Sequence, residues 1–201
     1  MTYFDILKKR HSQYALGKNI DGTKAVDTLK EAVRLSPTAF NAEGGRVLIL
    51  TGDAHDKLWG EIVPTDLKAE MDRQGVPANV WENTAQKLES FKAAFGTALF
   101  YEDQDKVKEL QENFALYKDN FPIWSEQGSG IITINAWNAL TEIGVGANLQ
   151  HYNPVIDASV AKAWHVPASW KLRSQLIFGS IETDTGEEKD KIADTVRFIE
   201  A

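Results

Sequence analysis

Ser36-Pro37-Thr38-Ala39-Phe40-Asn41-Ala42-Glu43-Gly44-Gly45-Arg46, running on into Val47-Leu48-Ile49-Leu50-Thr51, reads as a helix stop, a loop and a strand in succession. Pro37 disfavours the α region for Ser36, so the preceding helix ends there. The small residues around Phe40 and Asn41 leave backbone amides accessible, and Gly44-Gly45 allow a close backbone approach before Arg46 opens the strand. Arg46 to Thr51 is aliphatic and β-branched without alternation, as expected of a strand buried on both faces. Alone, the stretch is an ordinary helix-to-strand connection. Its other reading, a loop shaped to hold a ligand, depends on the rest of the chain.

Working outward, residues 2 to 10 predict a short helix with Thr2 as a possible cap, and Thr23 starts a second helix with Val26, Leu29 and Val33 on one face. Residues 54 to 62, 65 to 74 and 80 to 94 read as three helices punctuated by Pro64 and Gly75-Val76-Pro77. A second strand is expected at Thr97 to Tyr101, followed by a helix carrying Val107, Leu110 and Phe114. Phe121 to Trp124 reads as a turn, and Ser125 as the start of a long helix that is apolar nearly all round, so it must be buried centrally or in a subunit interface. A short helix at 155 to 164, a long strand from Lys171 to Ile181, an acidic loop to Asp190 and an extended arm at 191 to 199 complete the chain. Three strands interleaved with helices point to a three-layer α/β or α+β domain with a mixed sheet.

The chain has 201 residues, enough for one sizeable core and too few for two, so residues 1 to 201 are expected to form one domain. A net charge of −7 argues against a nucleic-acid surface, which needs a clustered basic face. The absence of cysteine removes disulfides, thiolate catalysis and cysteine-held metals, so redox chemistry has to come from a bound cofactor. Met1 to Asp5 lacks a basic and apolar leader and no run is long and apolar enough to span a membrane, which predicts a cytoplasmic protein.

Few side chains carry chemistry. The basic cluster Lys8-Lys9-Arg10-His11-Ser12 has two readings: cations complementing a helix C-terminus, or a phosphate clamp in which Arg10 supplies a bidentate fork. Asp53, His55 and Asp56 suggest a metal site, but a capping aspartate and a surface histidine explain them more simply; the acidic run Glu102 to Asp105 likewise reads as a helix cap. Gln127-Gly128-Ser129-Gly130 lacks the upstream glycine of a nucleophile elbow, and Gly144-Val145-Gly146 follows a helix rather than a strand, so it is not a dinucleotide fingerprint. No metal site and no protein catalytic group is expected.

Taken together, five segments resemble the FMN-dependent nitroreductase family, in the branch of copper-induced and fungal fatty-acid-repression nitroreductase-like proteins. They are Lys9 to Leu16, Ser36 to Asn41, Phe95 to Gln104, Gly144 to Pro154 and Gln175 to Gly179, in the family's order and across nearly the whole chain. The resemblance implies an α+β, three-layer fold with a mixed sheet, built as an intertwined homodimer with FMN at the interface. It implies that Arg10, His11 and Ser12 contact the phosphate and ribityl chain, with Arg197 as a late phosphate-binding cation. Pro37, Thr38, Ala39, Phe40 and Asn41 would lie beside the isoalloxazine from the partner subunit, and Leu149, Gln150 and His151 along its reactive edge. The implied activity is ping-pong transfer of two electrons from NADH or NADPH to a nitroaromatic or quinone, the flavin carrying the chemistry. Two other readings stand beside it: a flavin-binding stress or lipid-metabolism regulator with little turnover, and a cofactor-free structural domain. The chain departs from the family at Tyr14, where Lys or Arg is frequent, and at Glu43, where Gln is common.

Overall fold

Helix α1 (Tyr3–Lys9) begins with a reciprocal cap: the Asp5 N–H donates to the Thr2 hydroxyl at 3.3 Å, and the Thr2 N–H donates to the Asp5 carboxylate at 2.8 Å. The computed structural model describes residues 1–184, so the arm expected at 191 to 199, Arg197 with it, lies outside the described residues. After strand β1 (Ala15–Gly17), Asp21 caps helix α2 (Gly22–Arg34) by accepting the Lys24 N–H. A 3-10 turn at Ala39–Asn41 leads to β2 (Gly45–Thr51).

The two helices expected on either side of Pro64 are one continuous rod. α3 (Asp53–Lys57) passes through a π-helical segment, Leu58–Ile62, into α4 (Val63–Arg73), with Pro64 in the first turn of α4. A proline removes one N–H from the helical ladder, and a widened turn is a known way of accommodating such a loss without ending the helix. α5 (Ala78–Lys92), β3 (Gly96–Asp103) and α6 (Gln104–Asn113) follow, the last capped by Asp103 as expected. Phe121 to Trp124 is not a turn. Helix α7 (Phe121–Glu142) starts there, with Pro122 in a first turn that has no use for its missing N–H. Then come β4 (Gly146–Gln150), a strand beyond the three expected from the residue pattern, α8 (Asp157–Trp164) and β5 (Trp170–Thr183).

β5 is the axis of the sheet. It pairs with β3 through residues 170 to 178, with β4 through 175 to 179 and with β1 through 180 to 183, while β2 pairs with β3. Among the described residues all four ladders are antiparallel, and parallel pairing is confined to a single bridge between Ser12 and Ala147. Helices cover both faces. One core layer joins Leu58, Trp59, Leu88, Phe91, Val160 and Ile177; the other joins Leu29, Phe100, Ala136, Leu140 and Phe178. The expected three-layer architecture is therefore present. β2 is an edge strand, and its aliphatic run divides between the layers, Leu48 and Leu50 toward the first and Val47 and Ile49 toward the second. Its residues other than the buried Leu50 are half-buried rather than enclosed, whereas β3 is buried from Gly96 to Glu102. α7 buries Ile132, Ala136 and Leu140 in the second layer but exposes Ile123, Ile131 and Ile134. Among the described residues no helix is long and apolar enough to cross a membrane, and no group of His, Asp and Glu side chains is placed to hold a metal ion.

His55, expected at the surface, is completely buried. Its Nε2 lies 3.1 Å from the Phe91 carbonyl, which can only accept, so Nε2 carries the proton. Nδ1 then accepts from the Thr97 hydroxyl at 3.0 Å, and that hydroxyl oxygen accepts the Trp59 indole N–H at 2.8 Å. Every donor in this chain has an acceptor only while His55 is neutral. Burial lowers its pKa below the ordinary value, ahead of the opposing pull of Asp56. The unfolded chain thus binds the proton more readily than the folded one, so the contribution of His55 is complete above its unfolded pKa of about 6.5 and is lost as pH falls below it. Urea unfolding is expected to give a stability that declines between about pH 6.5 and 5, with a shallower decline for His55→Gln; equal slopes for the two proteins would show that this histidine is not the proton acceptor.

Candidate functional site

The site is assembled around Asn148, a fully buried polar residue of β4. Its side-chain N–H donates to the Gln13 carbonyl at 2.8 Å, and its oxygen accepts from the Gln150 amide at 3.0 Å. The Gln13 N–H donates to the Ala147 carbonyl at 2.9 Å, beside the Ser12–Ala147 bridge. These bonds lay Arg10, His11 and Ser12 alongside β4, whose end is Leu149, Gln150 and His151. Past that end, Gln175 accepts the Tyr152 N–H at 2.7 Å and donates to Asn153 at 3.2 Å, fixing the chain as it leaves the strand.

Arg10 ends α1, its N–H bonded to the Ile6 carbonyl, and its guanidinium lies 4.6 Å from the centre of the Trp137 ring. Among the described residues it makes no ion pair. His11 is already engaged, 3.0 Å from the Asp184 carboxylate and 2.7 Å from the Gln13 amide. Ser12 is half-buried at the bridge. Trp137, Leu149 and His151 line a cavity of about 300 Å³ with residues of α7 and β5, Gly130 among them. Gln150 is buried and turned toward Asn148 rather than into this space. The structure thus brings Leu149 and His151 to one cavity and sets Arg10 against Trp137, a residue of its wall, with His11 and Ser12 in the same segment as Arg10.

Pro37, Thr38, Ala39 and Phe40 line a different cavity of about 390 Å³, with Trp124, Gln127, Gly128 and Ile131 of α7. Asn41 lies in the same loop, its N–H bonded to the Thr38 carbonyl. Phe40, Asn41 and Glu43 all have positive φ, near 50°, which for a bulky aromatic residue is a strained conformation. What holds it is visible. The Phe40 ring is surrounded by Phe114, Phe121, Tyr117 and Trp124 with centroids 5.0 to 5.9 Å away, and it stacks nearly parallel to Trp124. From the strand side, Arg46 donates to the Glu43 carbonyl at 2.6 Å and pairs with Asp103 at 3.0 Å. Within one chain, then, the Pro37–Asn41 loop and the Leu149–His151 segment belong to separate cavities that share only α7.

Residue-type reasoning passed over Trp124, Trp137 and Arg173. The two tryptophans read as turn and core. Arg173 lies in the cavity of Leu149 and His151, bonded to Glu102 at 2.9 Å and to Glu126. Burial opposes its charge, but the two carboxylates outweigh burial and raise its pKa.

A model of the Nitroreductase family matches residues 7–180. HBN1 of Saccharomyces cerevisiae is 32% identical over 191 residues, covering 93% of this chain and 92% of its own. Nitroreductase CinD from Lactococcus lactis, in complex with chloramphenicol, is 60% identical with a TM-score of 0.91 and full coverage of both chains; its complex with 4-nitrophenol gives 59% and 0.90. A Desulfovibrio desulfuricans protein in complex with FMN shares the fold at 14% identity and a TM-score of 0.69, covering 97% of this chain and 95% of its own.

Replacing Asn148 with Leu leaves the Gln13 carbonyl and the Gln150 amide without their partner. Urea unfolding is expected to show a loss of about 1–3 kcal/mol, with faster hydrogen exchange at the Gln13 amide and little change in β3.

Proposed function

This chain belongs to the nitroreductase family, and we propose that it is an FMN-dependent oxidoreductase that takes electrons from NADH or NADPH and reduces nitroaromatic or quinone acceptors in a ping-pong cycle. The observation that carries the reading is the Arg10 guanidinium, unpaired among the described residues and stacked on Trp137, which itself lines the cavity of Leu149 and His151. A flavin phosphate needs a cation that is not already neutralised, and Arg10 is one. His11 and Ser12 add hydrogen-bonding groups within the same strapped segment. An isoalloxazine needs a flat slot with apolar walls, and Trp137, Ile134 and Leu149 provide them. The donor set therefore fits FMN.

Bound there, FMN supplies hydride acceptance and two-electron delivery. The chain's own contribution is to hold and orient. Arg10 holds the phosphate end, β4 fixes the height of the Leu149–His151 wall through Asn148, and Trp137 gives the slot a rigid side. We place Pro37 to Asn41 of the partner subunit against the opposite face of the ring, in an intertwined homodimer. Two features support this: in its own chain the loop lines a cavity other than that of Leu149, and α7 exposes Ile131 at one cavity and Ile134 at the other.

The test is the visible spectrum of the purified protein under anaerobic conditions. A flavin band that bleaches with NADH or NADPH and returns on addition of 4-nitrophenol or a quinone is the expected result. A band that stays bleached with every acceptor would leave a flavin-binding regulator, and a colourless protein that ignores added FMN would remove the reading altogether. Arg10→Ala is expected to weaken FMN binding by roughly 10- to 150-fold, the equivalent of one charge-assisted contact, and to leave riboflavin binding unchanged; an equal loss for both flavins would place Arg10 elsewhere than at the phosphate.

A further inference from the structure

Arg173 is the extra residue of a β-bulge. On β3 Phe100 faces Ser174 and the next residue, Tyr101, faces Leu172, so Arg173 has no opposite number in the ladder. Bulges re-aim a side chain that regular pairing would send elsewhere. Here the guanidinium is sent to the wall of the cavity that also holds Leu149, His151 and Trp137.

Its two carboxylate partners differ. Glu102 comes from β3 with 3% of its side chain exposed, and it serves as the permanent counter-ion of a guanidinium that is itself largely buried. Glu126 comes from α7 with 59% of its side chain exposed, and it approaches the same Nη2 atom from the solvent side. A buried partner cannot leave without stranding a charge. An exposed partner is held only weakly, by an attraction that water screens and side-chain entropy opposes. One carboxylate is thus structural and the other replaceable.

We propose that Glu126 is a placeholder, and that Arg173 is a specificity-determining residue that receives the carboxylate of an anionic aromatic acceptor once Glu126 swings away. This rests on the reading of the cavity as the flavin and acceptor slot. The ligand class follows from the occupant: the group that already fits the position is a carboxylate, and the walls around it are Trp137 and Leu149. Exchange of one carboxylate for another leaves the charge around Arg173 unaltered, so the swap needs no rearrangement of the Glu102 pair.

The experiment uses the full chain loaded with FMN and compares 4-nitrobenzoate with its methyl ester, which lacks the charge. Affinities are measured by titration calorimetry, which needs no turnover, and KM values in parallel. In Glu126→Gln the competitor is gone, and the preference for the acid over the ester is expected to rise about two- to fivefold, the factor an exposed pair is worth. In the double variant Glu102→Gln with Arg173→Gln, which avoids a stranded buried charge, the preference is expected to fall roughly tenfold or more. An unchanged acid-to-ester ratio in both variants overturns the proposal. So does a ratio that stays fixed while FMN affinity shifts and riboflavin affinity does not, because the anion on Arg173 is then the cofactor's phosphate. A protein that shows the expected shifts in binding but no turnover keeps the anion subsite and loses the oxidoreductase reading instead.

Discussion

A strand hydrogen-bonded along both edges has nowhere to slip, and β5 is that strand. Three partners occupy its length: β3 on one side, β4 and β1 in succession along the rest. Side-chain period in a strand is two, so a one-residue shift against any of them would turn Leu176 and Phe178, both fully buried, out of one core layer and into the other. The register of β4 is therefore set by β5, and the position of everything attached to β4 is set with it. The step where the β3–β5 ladder breaks, at Arg173, is the step that opens onto the cavity.

From β4 the constraint passes to the N-terminal segment through side chains rather than backbone ladders. Asn148 and Gln150 are buried amides, and each is used up by a neighbour: one by the Gln13 carbonyl, the other by Asn148 itself. Buried amides are costly without partners and rigid with them, so the pairing locates Arg10 to Ser12 more firmly than an apolar contact would. α7 then divides the surroundings. Its Trp137 backs Arg10 on one side, and its Trp124 stacks with Phe40 on the other, so one helix carries the walls of both cavities.

Much of the fold could be read from residue patterns. The caps at Thr2 and Asp103, the break before Pro37 and the aliphatic strand after Arg46 each follow from local chemistry that tertiary packing did not override. The misreadings have local reasons too. β4, Gly-Ala-Asn-Leu-Gln, has polar residues where a strand pattern expects apolar ones, because Asn148 and Gln150 are satisfied by partners remote in sequence. β1 is too short to show a period. His55 looked like a surface residue because histidine usually is, and its burial depends on Thr97 and Phe91 arriving from another part of the chain. As for the site, residue type alone left Arg10 between a solvated helix end and a phosphate ligand, and family resemblance favoured the second. The contact with Trp137 and the strap to β4 are properties of the assembled fold that no local pattern contains.

Gly128 and Gly130 lie inside α7, one in the wall of each cavity. A methyl group at Gly130 would meet nothing within 4 Å, and one at Gly128 only the Thr38 methyl at 4.0 Å. Among the described residues of one chain neither glycine is required by backbone geometry or by crowding, and in a helix interior each costs about 1 kcal/mol relative to alanine. The helix is thus less stable than its own backbone permits, and what it retains in exchange is empty volume. In evolutionary terms the room beside this helix is stored as missing carbon atoms, and a single methyl at either position would narrow it while strengthening the helix.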